Sequence, residues 1–310
     1  MKRRKRNLPT LAITGGTGFV GEHLIGLARQ GGYPVRALTR KWKPPEDGVE
    51  WVEGTLDRPE SLARLCDGSD VAIHLAGAIN APDRAGFEAI NAGGTANLVD
   101  AARKVGLRRF IHTSSLSARE PELSNYGWSK AKSERLVAAS GLDWTILRPP
   151  AIYGPGDRET LDLFRMARRG LVPLPPRGRL SVIHVEDMCR LMLGLIDADD
   201  SWGETYEPDD GAEQGWDHRE FARALGGALG KRAIPLSMPR MALRAASRAD
   251  RLLRRDKAKL TPDRVSYFCH PDWVSAADRR PPPGLWQPQV LTADGLAATA
   301  AWYREQGWLK

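Results

Sequence analysis

Short apolar runs alternate with longer stretches of helical periodicity through about the first two hundred residues. Thr10–Thr14, Val35–Thr39, Val49–Val52, Val71–Leu75, Arg109–Thr113 and Thr145–Leu147 read as strands, most of them rich in Val, Ile or Leu. Between them Phe19–Gln30, Pro59–Cys66, Glu88–Val105 and Asn125–Ala139 read as helices. Parallel strands need a crossover connection, usually a helix, and strands covered on both faces are continuously apolar instead of alternating. The pattern therefore predicts an α/β fold, a doubly wound parallel sheet with helices on both faces.

After Pro149 the rhythm changes. Pro and Gly gather at Pro149–Gly156 and Pro173–Gly178, and one more apolar run, Leu180–Val185, is expected to return to the sheet. Beyond it Phe221–Leu229, Arg240–Arg255 and Thr292–Arg304 read as helices, and the Pro- and Arg-rich Ser275–Pro288 reads as a loop. The expected organisation is a sheet domain over residues 8–200, with 155–180 contributing to the substrate side. A smaller, mostly helical C-terminal region follows over 201–310.

With 310 residues, 42% of them hydrophobic, the chain is long enough for such a sheet and its appendage. No apolar run approaches the roughly 20 residues that span a bilayer. The five-residue run after the basic start is too short for a secretory leader, so a cytoplasmic protein without stable membrane insertion is expected. Cys66, Cys189 and Cys269 lack C-x-x-C spacing and the six histidines lack ligand spacing, so neither a disulfide framework nor a metal is expected. Of the formal net charge of +8, five charges sit in residues 2–6; the remaining +3 gives no reason to expect a nucleic-acid partner.

Thr14-Gly15-Gly16-Thr17-Gly18-Phe19-Val20-Gly21 follows a predicted strand and opens a predicted helix. Gly15 allows a tight turn, Gly18 lets the backbone approach a pyrophosphate, and Gly21 lets the helix pack close to the strand. The helix N-terminus then offers N–H groups and a positive dipole end to phosphates. In this strand–turn–helix context the motif points to a dinucleotide. An NAD-binding chain commonly carries an acid at the end of its second strand to hold the adenosine ribose. Here the stretch reads Val35-Arg36-Ala37-Leu38-Thr39-Arg40-Lys41, and Arg40 with Lys41 suits a 2′-phosphate, so NADP(H) is favoured over NAD(H).

Tyr126 and Lys130 are four residues apart and share a helix face. A phenol is a poor base near neutrality, and an adjacent ammonium is expected to lower its pKa, so that Tyr126 trades a proton with a substrate hydroxyl or carbonyl. The predicted strand Arg109–Thr113 ends in the hydroxyls of Thr113, Ser114 and Ser115, at the edge where α/β sheets bind ligands. Ser115 is placed to bond the reacting oxygen, or simply to cap a turn.

These stretches resemble the short-chain dehydrogenase/reductase superfamily, in its extended or atypical branch of epimerase/dehydratase-like proteins. The resemblance rests on TGGTGFVG at Thr14–Gly21, HLAG at His74–Gly77, NAGGT at Asn91–Thr95, TSS at Thr113–Ser115, YGWSK at Tyr126–Lys130, RPPAIYGPGD at Arg148–Asp157 and IHVED at Ile183–Asp187. It implies a Rossmann NAD(P)-binding domain and a catalytic triad of Ser115, Tyr126 and Lys130, with Lys130 also bonding the nicotinamide ribose. Gly15, Thr17, Gly18, Phe19, Val20 and Gly21 would hold the dinucleotide, with Arg40, Leu56, Ala76, Gly77, Thr113 and Pro149 around it. Asn91 would brace the sheet centre. Two departures stand out: Thr55 replaces the aspartate of the family's G-D-L motif, and only ten residues separate Ser115 from Tyr126. The short link resembles the complex I-subunit-like branch, some of whose members bind the nucleotide without known turnover.

In the C-terminal part, Arg240, Arg244, Arg248, Arg251 and Arg255 form a basic stripe beside an apolar one of Met241, Ala245, Ala249 and Leu252. The expectation is a solvated basic face with an ordinary buried apolar side; a phosphate-bearing substrate, an acidic partner or an anionic membrane surface is the alternative. Trp202, Trp216, Trp273, Trp286, Trp302 and Trp308 line an apolar substrate pocket or pack in the core.

The expected function is an NAD(P)-dependent oxidoreductase of the short-chain dehydrogenase type, with Tyr126 as acid/base on a small carbonyl or hydroxyl substrate. A nucleotide-sugar epimerase or dehydratase is the first alternative, with Glu120 and Glu122 as candidates for an added acid. A non-catalytic dinucleotide-binding sensor or assembly protein is the second, and the intact Ser115, Tyr126 and Lys130 argue against it.

Overall fold

The computed structural model describes residues 8–254 and 261–309. The basic tail at 1–7 and Arg255 of the basic stripe lie outside the described residues. The chain forms two compact units that interleave along the sequence: one from Met1–Ser114, Ser129–Leu147 and Cys189–Thr205, the other from Ser115–Trp128, Arg148–Met188 and Tyr206–Lys310.

The first unit holds the sheet. Its strands are β1 (Leu11–Thr14), β2 (Val35–Thr39), β3 (Val49–Glu53), β4 (Val71–His74), β5 (Arg109–Thr113) and β6 (Asp143–Leu147). They pair in parallel in the order β6-β5-β4-β1-β2-β3, and Glu204–Tyr206 adds a seventh strand beside β6. The order reverses at β1, which places the glycine turn at the switch point where such sheets bind ligands. The connecting helices are α1 (Phe19–Gln30), α2 (Pro59–Cys66), α3 (Arg84–Phe87), α4 (Gly94–Val105) and α5 (Asn125–Ala138). Leu11, Ile13, Leu24, Leu62, Ile73, Leu98 and Phe110 are fully buried, each contributing about 1.5–3 kcal/mol through removal of apolar surface from water.

The single helix expected over Glu88–Val105 is instead two pieces, a π-helical turn at Glu88–Gly93 and then α4, with the short α3 leading into them. That wide turn carries Asn91, a buried side chain with four hydrogen-bonding positions to satisfy. Gly94, at the start of α4, is needed for close approach: a Cβ there would meet Leu56 side-chain carbon at 2.6 Å.

The second unit contains β7 (Ala151–Tyr153), α6 (Leu161–Arg168), β8 (Leu171–Leu174), β9 (Arg179–Leu180) and β10 (Val182–His184). Helix α7 (Val185–Gly194) follows, its residues from Cys189 onward and most of β11 (the Glu204–Tyr206 edge strand) belonging to the first unit; the second unit then continues with β12 (Trp216–Asp217), α8 (His218–Ala228), β13 (Ile234–Ser237), α9 (Arg240–Arg254), α10 (Pro262–Phe268), β14 (Asp272–Trp273) and α11 (Thr292–Glu305). Its core gathers Tyr153, Phe164, Val172, Val182, Phe221, Leu225, Leu296 and Tyr303, with Trp216, Trp302 and Trp308 packed against it. Core packing therefore accounts for these three tryptophans, and Trp273 is buried against Tyr267.

Leu180–Val185 does not return to the main sheet. Leu180 pairs in β9 with β12 and β14, whereas Val182–His184 pairs with β7. Ser181 sits at the break: its N–H donates to Trp273 O and its hydroxyl to the buried Asp209. A second correction concerns α9. Met241, Ala245, Ala249 and Leu252 are exposed, and the buried side chain is Ser247. Among the described residues, the expected apolar stripe is thus not the buried side of this helix.

Candidate active site

The glycine turn has the shape its sequence requires. Gly15 adopts φ +75°, in the left-handed region, and a Cβ there would stand 2.8 Å from Ala76 N. Gly21 lies in the first turn of α1, where a Cβ would collide with the carbonyl oxygen of Gly15. Gly18 donates to Gly15 O at 3.0 Å and forms the α1 N-cap, and no side chain caps this helix start. Thr17 and Gly18 are exposed and Phe19 and Val20 half-buried, so the turn presents main-chain N–H groups and a helix dipole without bulk above them.

The floor behind the turn is polar and fully connected. Thr14 Oγ1 lies 2.6 Å from His74 Nδ1, His74 Nε2 lies 2.9 Å from Thr95 Oγ1, and Thr95 donates to Asn91 O at 2.6 Å. Thr14 Oγ1 also accepts from Ala76 N. Asn91 holds the loop after β4: its amide donates to Ala78 O and Ser129 Oγ and its oxygen accepts from Ala78 N at 2.7 Å. Burial, reinforced by the Lys130 charge, lowers His74 to about 3, so the imidazole is neutral. His112 stacks on His74 at 5.3 Å, bonds Ser133 at 2.9 Å, and is held well below the usual histidine range for the same reasons.

Lys130 Nζ donates to Thr113 O at 2.6 Å. The side chain is buried, and desolvation lowers its pKa to about 8 against the opposing pull of Glu134, one turn along α5. A Cβ at Gly77 would meet Asn91 Oδ1 at 3.0 Å and Lys130 Nζ at 3.8 Å, so Gly77, Asn91 and Lys130 lie close together. Ser114 Oγ donates to Glu134 at 2.6 Å, while Thr113 Oγ1 is shielded and has no hydrogen-bond partner. In the second unit Ser115 hydrogen-bonds Tyr126. Ser115 also caps the 3-10 turn Leu116–Arg119 by accepting from Ser117 N, as the capping reading expects. Pro149 is buried and its carbonyl accepts from Leu116 N at 3.0 Å, which fixes this turn.

Tyr126 departs from expectation in one respect. Its pKa is raised: burial outweighs the lowering effect of the Ser115 bond. The phenol is held in its protonated form.

The model of the NAD dependent epimerase/dehydratase family matches residues 11–207. The chain belongs to this family. It is 36% identical to ceramide reductase of Caulobacter vibrioides over 319 aligned residues, covering 96% of both chains. It is 26% identical to UDP-glucose 4-epimerase of Vibrio cholerae, covering 76% of this chain and 80% of that one. Its fold is similar to that of MoeE5 in complex with UDP-glucose and NAD, with a TM-score of 0.75, 21% identity and coverage of 96% and 99%. The chain is thus an NAD(P)-binding enzyme of the epimerase/dehydratase family.

For such an enzyme, the left-handed Gly15, the crowded Gly21, the uncapped α1 start and the unpartnered Thr113 hydroxyl fit a bound dinucleotide. Arg40 is exposed just beyond β2, where Thr39 Oγ1 donates to Lys41 O at 2.7 Å. Leu56 packs on Gly94 and its carbonyl accepts from Asn97 at 2.9 Å; Thr55, in the place of the family acid, donates to Asp57. Sequence reasoning missed Glu134, His74, Thr95 and the Lys43–Trp51 pair, whose ammonium lies 5.3 Å from the ring centre. His74 and Thr95 lay inside the matched HLAG and NAGGT stretches without a role assigned to them, and Glu134 carried the signal of its four-residue spacing from Lys130. Among the described residues there is no group of His, Cys, Asp or Glu placed to hold a metal, and no helix long and apolar enough to cross a membrane.

Proposed function

We propose that this enzyme is an NADP(H)-dependent reductase of a ketone carried by a ceramide-like lipid. The observation that carries the reading is the likeness to ceramide reductase, which extends beyond the family-matched residues 11–207 to 96% of both chains. When bound, the nicotinamide cofactor supplies the hydride. Tyr126, held protonated by burial, gives its proton to the carbonyl oxygen as negative charge develops there. Ser115, bonded to Tyr126, orients that oxygen. Lys130, with Thr113 O already satisfied, directs its remaining N–H groups to the nicotinamide ribose. Arg40 and Lys41 beyond β2 provide a forked donor and a point charge for a 2′-phosphate.

The test is NADPH oxidation with a keto-ceramide in mixed micelles, beside UDP-glucose and UDP-N-acetylglucosamine with bound NAD. Turnover of the lipid that requires NADPH and Tyr126 supports the reading. Turnover of a nucleotide sugar alone overturns it.

A further inference from the structure

We propose that the second unit carries a docking surface for anionic phospholipid membranes, built by the β8/β13 ribbon, the groove beside it and α9. Strands β8 and β13 pair in parallel with Leu171 opposite Ile234 and Pro173 opposite Leu236. Along β8, Val172 and Leu174 turn inward to the core, while Leu171 and Pro173 face out. On β13 the outward positions are Ile234 and Leu236. The register therefore collects four apolar side chains on one exposed face; Ile234 is 59% exposed. A ribbon this short normally hides such a face.

Cations flank it. A groove of about 590 Å³ is lined by Arg219, Arg223, Lys231 and Arg232 together with Ile234 and Pro235, and no acid lines it. From β13 the chain passes through Met238 and Pro239 directly into α9. There the apolar stripe of Met241, Ala245, Ala249 and Leu252 is turned to solvent, with Arg240, Arg244 and Arg248 exposed beside it. Met241 and Leu252 are each 82% exposed. Between Arg219 and Arg248 there are seven basic residues and one acid, Glu220.

Exposed aliphatic side chains bordered by Arg and Lys are the signature of a helix or ribbon that lies in the headgroup layer. Apolar atoms enter the acyl boundary while the cations bind phosphate oxygens. The charge excludes a second copy of this surface as its partner, because seven cations would face seven. The aliphatic face excludes nucleic acid, whose backbone offers it nothing to bury against. This inference rests on the second unit alone, and stands whichever carbonyl the enzyme reduces.

Co-sedimentation of the full chain with phosphatidylcholine vesicles, and with vesicles containing about one-third phosphatidylglycerol, tests it. Binding to the anionic vesicles that weakens at least tenfold between low and physiological salt is expected, with little binding to phosphatidylcholine. Ile234→Asp with Leu236→Asp, and separately Arg223→Glu with Arg232→Glu, should each lower vesicle binding at least tenfold while melting temperature and NADPH binding stay as in the wild type. Absence of vesicle binding, or binding that both double variants retain, overturns the proposal. So does a dimer in solution that the Ile234→Asp, Leu236→Asp variant dissociates.

Discussion

Lys130 Nζ donates to the main-chain carbonyl of Thr113 at 2.6 Å. This bond ties the end of β5 to the helix that carries Tyr126, and it keeps an ammonium in a buried position where desolvation lowers its pKa to about 8. On the proposed reading the ammonium form of Lys130 donates to the nicotinamide ribose hydroxyls, and that form is lost as pH rises through that value. NADPH affinity of the wild type is therefore expected to fall above pH about 8, at most tenfold per pH unit. Lys130→Met should bind weakly at every pH with no such inflection. Fluorescence titrations from pH 6.5 to 9.5 decide this; a wild-type affinity flat across that range removes Lys130 from the cofactor's contacts.

Tyr126→Phe deletes only the phenolic oxygen. The expected result is a loss of kcat of about 10²–10⁴-fold, with NADPH affinity within about twofold of the wild type. Ser115→Ala removes the partner hydroxyl and also uncaps the Leu116–Arg119 turn, so it should lower kcat and cost about 1 kcal/mol of stability. Steady-state kinetics and thermal melts separate these two effects.

Two glycines of α1 make a paired test of the cofactor turn. Gly21→Ala drives a methyl group into Gly15 O, whereas a Cβ at Gly26 meets nothing within 4 Å. Gly21→Ala should lose NADPH binding and about 1–3 kcal/mol of stability. Gly26→Ala should keep binding and gain about 0.5–1 kcal/mol, since Ala has the better helix propensity. Equal NADPH affinity in both variants would mean that the turn does not hold the dinucleotide.

The stacked pair His74 and His112 makes the first unit acid-sensitive. Both folded-state pKa values lie below the ordinary histidine value of 6.5, His74 at about 3. Below pH 6.5 the unfolded chain takes up protons that the folded one refuses, so stability falls as the pH drops from about 6.5 toward 3. His74 costs about 1.4 kcal/mol per pH unit across that window, and His112, shifted the same way by burial, adds to the loss. Urea melts at pH 7, 6 and 5 should show a steepening loss, and His112→Asn should about halve the slope.

Arg40→Glu replaces an exposed cation beyond β2 with the acid that an adenosine ribose prefers. The ratio of NADH to NADPH affinity should rise at least tenfold, because a carboxylate repels the 2′-phosphate and bonds the free hydroxyl. An unchanged ratio would assign the 2′ position to another residue, with Lys41 or Lys43 next to be changed.

The strands and the glycine turn were legible because their requirements are local. β2 and β5 have the boundaries that their apolar runs predict, and Gly15 takes the left-handed φ that its place in the motif demands. The order of Tyr126 and Lys130 on one helix is likewise a matter of spacing. The split of Leu180–Val185 was not legible, because it depends on Ser181 finding Asp209 and Trp273, 28 and 92 residues further along the chain. Nor was Glu134 as the partner of Ser114, since a Lys–Glu pair one turn apart ordinarily reads as a solvated helix face.

By itself, the sequence determined the class of fold, the glycine turn and the placing of Tyr126 and Lys130 on one helix, because propensity, glycine freedom and helix periodicity act over a few residues. Only the tertiary structure decided what each of those residues experiences. Burial turned the expected direction of the Tyr126 pKa upward, fixed His74 and His112 as neutral, and left the apolar stripe of α9 facing solvent. Those outcomes depend on how much water each group loses when distant segments pack, and desolvation is a property of the packed chain that no local spacing encodes.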